Sequence, residues 1–179
     1  MAELRIRTTR HTIRVAAPPQ QIYQLIANAD RWPHIFDSVL AVEHIGWGGS
    51  GERVRFWGTF GDRRGSWVSA REVNPKRMQL RFRQERAAHP LASLGGVWIV
   101  RPKGAGALVA LDHYYTVVDD DPVHVRHVDD MIEHNGTSLL AALRRAAELD
   151  EPDQGFDEMW SPDGLYVGMP DGVGGVISR

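Results

Sequence analysis

Residues 119–149 read DDDPVHVRHVDDMIEHNGTSLLAALRRAAEL, and this stretch decides the fold. The acidic run before Pro122 is a helix start signal, because a proline ring is already shaped for the first helical turn. Apolar side chains then recur at helical spacing, at Val128, Ile132, Leu139 and Leu143. The pattern predicts one long amphipathic helix that ends near Leu149.

The chain before this helix follows a different period. From residue 38 to residue 118, short segments rich in Val, Phe, Trp and Leu are separated by turn clusters such as GWGGSGE, FGDRRG and RPKGAGA. This spacing is typical of an antiparallel sheet. Residues 9–16 alternate and predict a first strand. A helix is predicted to begin at Pro18-Pro19 and to end at Trp32-Pro33, because a proline disfavours helical geometry in the residue before it.

The order of the elements predicts an α+β fold in which a curved antiparallel β-sheet wraps around the long C-terminal helix. Such an arrangement is a helix grip, and it leaves an internal cavity between sheet and helix. Residues 1–150 would form this domain. Residues 151–179 are rich in Gly, Pro and Asp without a clear period, and we predict that they form a loosely ordered extension.

The composition excludes several classes of protein. The 179 residues contain no cysteine, so disulfides, thiolate metal sites and cysteine nucleophiles are excluded. A net charge of −2 does not predict a nucleic-acid partner. No apolar run approaches the roughly 20 residues of a membrane span, and we expect a cytoplasmic protein. His124 and His127 have the helical spacing of metal ligands, but no further ligand has a fixed place, so no metal is predicted.

Three residues of the segment GSWVSAREVNP, which covers residues 65–75, are candidates for a site. Trp67, Ser69 and Arg71 are spaced by two and therefore share one face of a strand. A guanidinium on a buried face is costly unless it is paired, so this face suits a cavity wall that holds ligand oxygens. The alternative is a surface arginine whose aliphatic stem covers Trp67.

Further candidates lie on the last strand, the long helix and two aromatic positions. His113 suits proton transfer near neutral pH, and Tyr115 shares its strand face. The alternative for His113 is a hydrogen bond within the sheet. Asn135 interrupts the apolar stripe of the long helix, where its partner would be ligand, water or backbone. Trp32 and Trp98 would line the cavity or fill the core.

Five segments together carry a family resemblance: ADRWPHIF, GSWVSAREVNP, GGVWIV, ALDHYY and EHNGTSLLAALRR. In order and spacing, over roughly residues 9–149, they resemble the polyketide aromatase/cyclases of actinomycete type II systems. These belong to the START-like superfamily, also called SRPBCC, whose fold is a START- or Bet v 1-like helix grip.

The resemblance implies a function. The family directs the first aldol ring closure of a poly-β-ketone bound to an acyl carrier protein, followed by dehydration to an arene, and it needs no cofactor. It implies Arg71, Ser69 and His113 as catalytic residues. The implied substrate-binding residues are Trp32, Trp67, Trp98, Tyr115 and Asn135. The sequence departs from the family pattern at Val39, where an aromatic is usual, and at Gly136, where a serine is usual.

Two alternative functions remain open at this stage. One is a non-catalytic carrier of a lipid, a quinone or another hydrophobic molecule on the same fold. The other is an interaction module whose core is filled. Arg81 and Arg83 share a strand face and suit the docking of an acidic carrier protein, because complementary charge speeds encounter. A solvated strand face is the alternative for these two arginines.

Overall fold

A computed structural model of the protein describes residues 4–48, 51–60 and 62–149. These described residues form seven strands, three α-helices and two short 3₁₀ turns at Ala29–Arg31 and Val118–Asp120. The strands are β1 Arg7–Val15, β2 Val39–Gly48, β3 Gly51–Phe60, β4 Arg63–Asn74, β5 Gln79–Gln84, β6 Leu91–Lys103 and β7 Gly106–Val117. The helices are α1 Pro19–Ala27, α2 Trp32–Ile35 and α3 Pro122–Leu149.

The seven strands form one antiparallel sheet with the order β1-β7-β6-β5-β4-β3-β2. The first strand pairs with the last, and this pairing sets Thr9 opposite His113 and His11 opposite Leu111. The alternation of buried and exposed residues along the strands gives the sheet one apolar face, which packs against α1 and α3. The predicted α+β arrangement of a curved sheet and a long C-terminal helix is confirmed.

The long helix α3 begins at an acidic cap, as the sequence predicts. The side chain of Asp121 accepts hydrogen bonds from the backbone N–H groups of Val123 (2.9 Å) and His124 (3.0 Å). Its buried face contacts mainly β1 and β7. In the described part of the chain, no helix is long and apolar enough to cross a membrane. The extension predicted for residues 151–179 lies outside the described residues.

The prediction that Trp32-Pro33 ends the first helix is wrong. Helix α1 already ends at Ala27, and the short helix α2 begins at Trp32 with Pro33 in its first turn. A proline is well tolerated there, because the first turn has no intrahelical acceptor for the missing N–H group. Trp32 therefore starts a second helix, and the indole of Trp32 points into the domain.

Two clusters of buried side chains form the core. The larger one joins α1, the sheet and the C-terminal half of α3. The smaller one joins β6, β7 and the N-terminal half of α3 through Leu91, Leu94, Tyr115, Val117, Val128 and Ile132. Members of both clusters line the cavity described below, so the interior is only partly filled by side chains.

Candidate functional site

A cavity of about 810 Å³ is lined by the concave face of the sheet, α2 and α3. Ligand pockets in proteins have volumes of roughly 300–1,000 Å³. Most of the residues predicted for the site line this cavity, namely Trp32, Trp67, Ser69, Arg71, Trp98, His113 and Asn135. The structure therefore brings together residues from five separate elements of the fold, namely α2, β4, β6, β7 and α3.

Tyr115 is the predicted site residue that does not line the cavity. It does share a strand face with His113, but its ring is buried in the smaller core cluster. Its hydroxyl donates a 2.6 Å hydrogen bond to Asp129 on α3. Burial and this hydrogen bond both raise the pKa of Tyr115, so the phenol stays protonated. The structure thus gives Tyr115 a packing role where α3 covers this end of β7, and substrate binding by Tyr115 stays a prediction.

Aromatic rings form much of the cavity wall. Phe56 stacks between Trp32 and Trp67, with ring centroids 5.0 and 5.8 Å away. Phe36 lies edge-on to Trp32 at 5.1 Å, and Trp98 is 6.2 Å from Phe36. Offset and edge-to-face pairs of this kind are the favoured geometries for aromatic side chains. The continuous wall offers a flat apolar surface to a ligand that is planar or becomes so.

The W-x-S-x-R pattern places its polar side chains as the strand period predicts. Ser69 and Arg71 are both buried on β4 and both line the cavity. Strand pairing sets Arg71 directly opposite Glu52 on β3 and Ser69 opposite Val54. The alternative of a surface arginine is excluded, because the Arg71 side chain is only 1% exposed.

Arg71 is held by a carboxylate and by the end of a helix. Its Nη1 donates to Glu52, and its Nη2 donates to the carbonyls of Ile26 (2.8 Å) and Ala27 (3.2 Å). These carbonyls belong to the last turn of α1, which has no basic side chain of its own. A cation from the sheet thus caps the negative end of the helix dipole. The guanidinium carbon also lies 5.0 Å from the ring centre of Trp32.

From the ion pair of Arg71 and Glu52, a series of polar contacts leads toward the surface. The second carboxylate oxygen of Glu52 is 3.2 Å from Nδ1 of His44. Nε2 of His44 is 2.9 Å from the carboxylate of Asp30. Burial lowers the pKa of Arg71, and the negative charge of Glu52 acts against that shift. The Arg71 Nε atom is buried without a hydrogen-bond partner among residues 4–48, 51–60 and 62–149.

His113 supplies the polar group of the opposite wall. The residue is 5% exposed, and its pKa is lowered to about 4 by burial first and by the nearby His11 second. The imidazole is therefore neutral near pH 7. Its Nδ1 is buried without a partner in the described chain, and the residue lines the cavity. The neighbouring residue Asp112 lies on the other face of the sheet. Its carboxylate accepts hydrogen bonds from Nε and Nη2 of Arg10.

Asn135 lies half-buried on α3 and lines the cavity beside Leu139. Ile132 on the same stripe is fully buried and lines the cavity as well. The two histidines of the HVRH segment do not join a metal site. Within the described residues, no three His, Cys, Asp or Glu side chains are grouped to hold a metal ion.

Three residues of the site escaped the sequence analysis: Glu52, His11 and Phe56. Each lies at an inward position of an alternating strand, as β3 and β1 show. Glu52 shares its strand parity with Val54 and Phe56, which are buried. A charged residue at a core position of a strand was therefore the pattern that could have identified it.

This combination of fold and site defines a helix-grip protein with an internal cavity. The curved sheet, the C-terminal helix and a cavity with aromatic and polar walls are its defining parts. A family model described as polyketide cyclase / dehydrase and lipid transport matches residues 7–148. The chain belongs to this family, and the resemblance identified from the sequence is confirmed.

Relatives with curated names come from Streptomyces. A granaticin polyketide synthase bifunctional cyclase/dehydratase of Streptomyces violaceoruber is 35% identical over 148 residues, which cover 82% of this chain and 46% of the relative. The corresponding actinorhodin protein of Streptomyces coelicolor is 34% identical, over 79% of this chain and 44% of the relative. This chain therefore spans about half the length of the curated relatives it matches.

Solved structures agree with the fold. The di-domain ARO/CYC BexL is 38% identical and superposes with a TM-score of 0.73, over 80% of this chain and 47% of BexL. The Zhui aromatase/cyclase from a Streptomyces species has the same TM-score over 90% of this chain and 100% of its own. At 22% identity, the second likeness shows the fold alone.

Proposed function

We propose that this domain is a polyketide aromatase/cyclase that needs no cofactor. It would direct the first-ring aldol cyclisation and dehydration of a poly-β-ketone carried by an acyl carrier protein. One observation carries the proposal: a cavity with an aromatic wall contains a buried guanidinium on one side and a buried neutral imidazole on the other. The names of the granaticin and actinorhodin relatives support the same chemistry. A cytoplasmic location stays a prediction.

In the first step, the neutral imidazole of His113 takes a proton from a carbon between two carbonyls. The electron pair of that C–H bond becomes an enolate, whose oxygen receives hydrogen bonds from Arg71 Nε and the Ser69 hydroxyl. The enolate carbon attacks a ketone further along the chain, and the new alkoxide takes up a proton. Loss of a second proton from carbon and of the hydroxyl as water then gives a cyclic enone, and enolisation of the remaining ring ketones gives the aromatic ring.

The aromatic wall would supply much of the rate by positioning. A poly-β-ketone is flexible, and holding two of its carbons in contact converts a rare encounter into the bound state. Trp32, Trp67 and Trp98 give the folded chain flat surfaces, and Asn135 offers a hydrogen bond from the helix side. The wall would also become complementary to the product as the ring flattens.

A reconstitution with a minimal polyketide synthase tests this function. The wild-type domain should shift the products from spontaneously formed shunt compounds toward one cyclised compound, read by mass spectrometry and NMR. Ser69→Ala and Arg71→Lys should reduce that shift by about 10²-fold each, the typical effect of removing one oxyanion donor. Arg71→Lys is preferred to Arg71→Ala because Arg71 also holds Glu52 and α1. A wild-type domain that leaves the shunt profile unchanged would refute the proposal.

A carrier of hydrophobic molecules is the second candidate. It is favoured by the extent of the aromatic wall and by the lipid transport named in the family description. The same reconstitution separates the two functions. A carrier would bind aromatic polyketides without changing the products.

We also propose that Arg81 and Arg83 help to dock the acyl carrier protein. Both side chains are exposed on β5, on the sheet face away from the cavity. Reversing both charges with Arg81→Glu and Arg83→Glu should slow association with the acidic carrier and reduce the dependence of the rate on salt. The control is Arg14→Glu. Arg14 is also exposed, but it lies on β1, which is separated from β5 by β7 and β6. Equal association rates for wild type, the doubly substituted variant and Arg14→Glu would exclude this docking site.

A further inference from the structure

Unpartnered polar atoms are concentrated at the pairing of β1 with β7. Thr9 Oγ1, His11 Nδ1 and His113 Nδ1 are buried there, and none has a hydrogen-bond partner in the part of the chain that is described. Thr9 lies opposite His113, and the His11 and His113 rings meet edge to face with centroids 6.3 Å apart. Buried polar atoms in native proteins nearly always have partners, so this grouping requires an explanation.

The His11 ring also reaches the protein surface. Its Nε2 lies 2.7 Å from a carboxylate oxygen of Glu133 on α3. The Glu133 side chain is 71% exposed, whereas that of His11 is 9% exposed. One buried imidazole thus connects a solvated carboxylate with the interior, on the side where His113 lines the cavity.

Gly136 makes room for this connection. A Cβ atom at that position would overlap the imidazole of His11. Glycine within a helix costs about 1 kcal/mol relative to alanine, so α3 loses stability where it admits the ring. Any side chain at this position would therefore displace His11.

We propose that Glu133 and His11 form a proton relay behind His113 that connects the cavity with solvent. The inference rests on the proposed function, since it gives the route for the proton that His113 takes from carbon. It also explains why two adjacent imidazoles keep their Nδ1 atoms free of other partners.

The relay requires one arrangement of protons. His113 carries its proton on Nδ1, so that Nε2 is free to accept a proton from the substrate carbon. As Nε2 is protonated, the Nδ1 proton moves to Nδ1 of His11, and the Nε2 proton of His11 moves to the Glu133 carboxylate. The electron pair of the broken C–H bond stays on the substrate as the enolate. The reverse transfers return a proton to the alkoxide, so no net proton is consumed.

These transfers require one movement. The ring centroids are 6.3 Å apart and neither Nδ1 has a partner in the described chain, so a rotation about the side-chain bonds must bring the two Nδ1 atoms together. The lowered pKa of His113 supports the scheme, because an imidazolium in that position loses its proton readily.

The first test needs no turnover. Nitrogen-15 NMR of the full chain should show neutral His113 with its proton on Nδ1, and His11 with its proton on Nε2. A His113 protonated on Nε2 would leave no base in the cavity and would overturn the relay. The same holds for a His11 protonated on Nδ1, which could not accept the proton.

The second test uses variants in the reconstituted reaction. His11→Ala and Glu133→Gln should each slow cyclisation by about 10²-fold, the lower end of general acid–base contributions. Imidazole added to the buffer should restore His11→Ala, since the small molecule fits the space of the lost ring, but not Glu133→Gln. The matched control is Asp130→Asn, an exposed carboxylate one turn earlier on α3, which should react like wild type. Folded variants with unchanged rates, or a His11→Ala loss that imidazole does not restore, would exclude the relay.

A third measurement separates failure of the relay from failure of the proposed function. Acetylacetone in D₂O exchanges its central protons, and the wild-type protein should accelerate this exchange even if it forms no polyketide ring. His11→Ala and Glu133→Gln should reduce the acceleration. Exchange that is accelerated equally by wild type and both variants, or by none of them, would exclude the relay. An unchanged shunt profile together with accelerated exchange would reject the cyclase alone.

Discussion

The two polar walls of the cavity bury their functional groups in opposite ways. On the β4 wall, Arg71 is charged and is fixed by Glu52 and by two helix carbonyls. On the β7 wall, His113 is neutral, and the Nδ1 atoms of His113 and His11 have no partner in the described chain. The difference teaches that a permanent charge needs a scaffold that holds it. A group that exchanges protons instead needs nitrogen atoms that are left free.

The largest expected effect comes from breaking the charged wall. Glu52→Ala would leave the Arg71 guanidinium buried without its counterion, and such losses typically cost about 3–5 kcal/mol. We expect the free energy of unfolding, measured in urea, to fall by that amount. Glu43→Ala is the control, because the Glu43–Arg55 pair is exposed and should contribute less than about 1 kcal/mol. Equal effects of the two substitutions would show that the Arg71 pair is not specially dependent on burial.

The stability of the folded protein should depend on pH through His113 on the β7 wall. The unfolded chain protonates His113 near its ordinary pKa of about 6.5, whereas the folded protein protonates it only near 4. The unfolded state therefore binds more protons between these values. Stability due to the neutral His113 is present above about pH 6.5 and is lost as the pH falls toward 4.

The size of this effect follows from the shift. It amounts to about 3 kcal/mol at pH 4, since one pKa unit corresponds to about 1.36 kcal/mol. Urea unfolding of wild type and of His113→Gln across this range measures it as the difference between the two curves. Parallel curves would mean that the folded protein protonates His113 normally.

A smaller effect should follow from closing the gap at Gly136. Gly136→Ala places a methyl group against the His11 ring, and overpacking of this kind costs about 1–3 kcal/mol. In the His11→Ala background the same change should stabilise the protein by up to about 1 kcal/mol, through helix propensity. Thermal or urea unfolding of all four proteins gives the coupling energy. A change of the same sign in both backgrounds would contradict the contact.

The smallest effect is expected outside both walls. Tyr115→Phe removes the hydrogen bond to Asp129 and should lower the free energy of unfolding by about 1 kcal/mol. The affinity for an aromatic polyketide, measured by fluorescence titration, should stay unchanged because the ring does not line the cavity. A marked loss of affinity would restore Tyr115 to the binding site.

The alternation of side chains along a strand explains both what could be predicted from the sequence and what could not. It correctly placed Trp67, Ser69 and Arg71 on one face of a strand, because side chains alternate regardless of the rest of the fold. It also placed Tyr115 beside His113, but parity does not say how far along a strand the covering helix extends.

The partners of these groups could not be predicted in the same way. Glu52 meets Arg71 only through the register of β3 with β4, and His11 meets His113 only because the first strand pairs with the last. Register between distant strands depends on the whole sheet. The amphipathic pattern of β1 and β3 marked both residues as inward-facing, but it could not name their neighbours.

The contact between Gly136 and His11 limits which residues can occur together at these two positions. Because any side chain on the helix would collide with the ring on the first strand, the two positions constrain each other from opposite ends of the domain. Relatives with a side chain at the position of Gly136 should therefore lack histidine at the position of His11, and those with glycine there should be free to keep it.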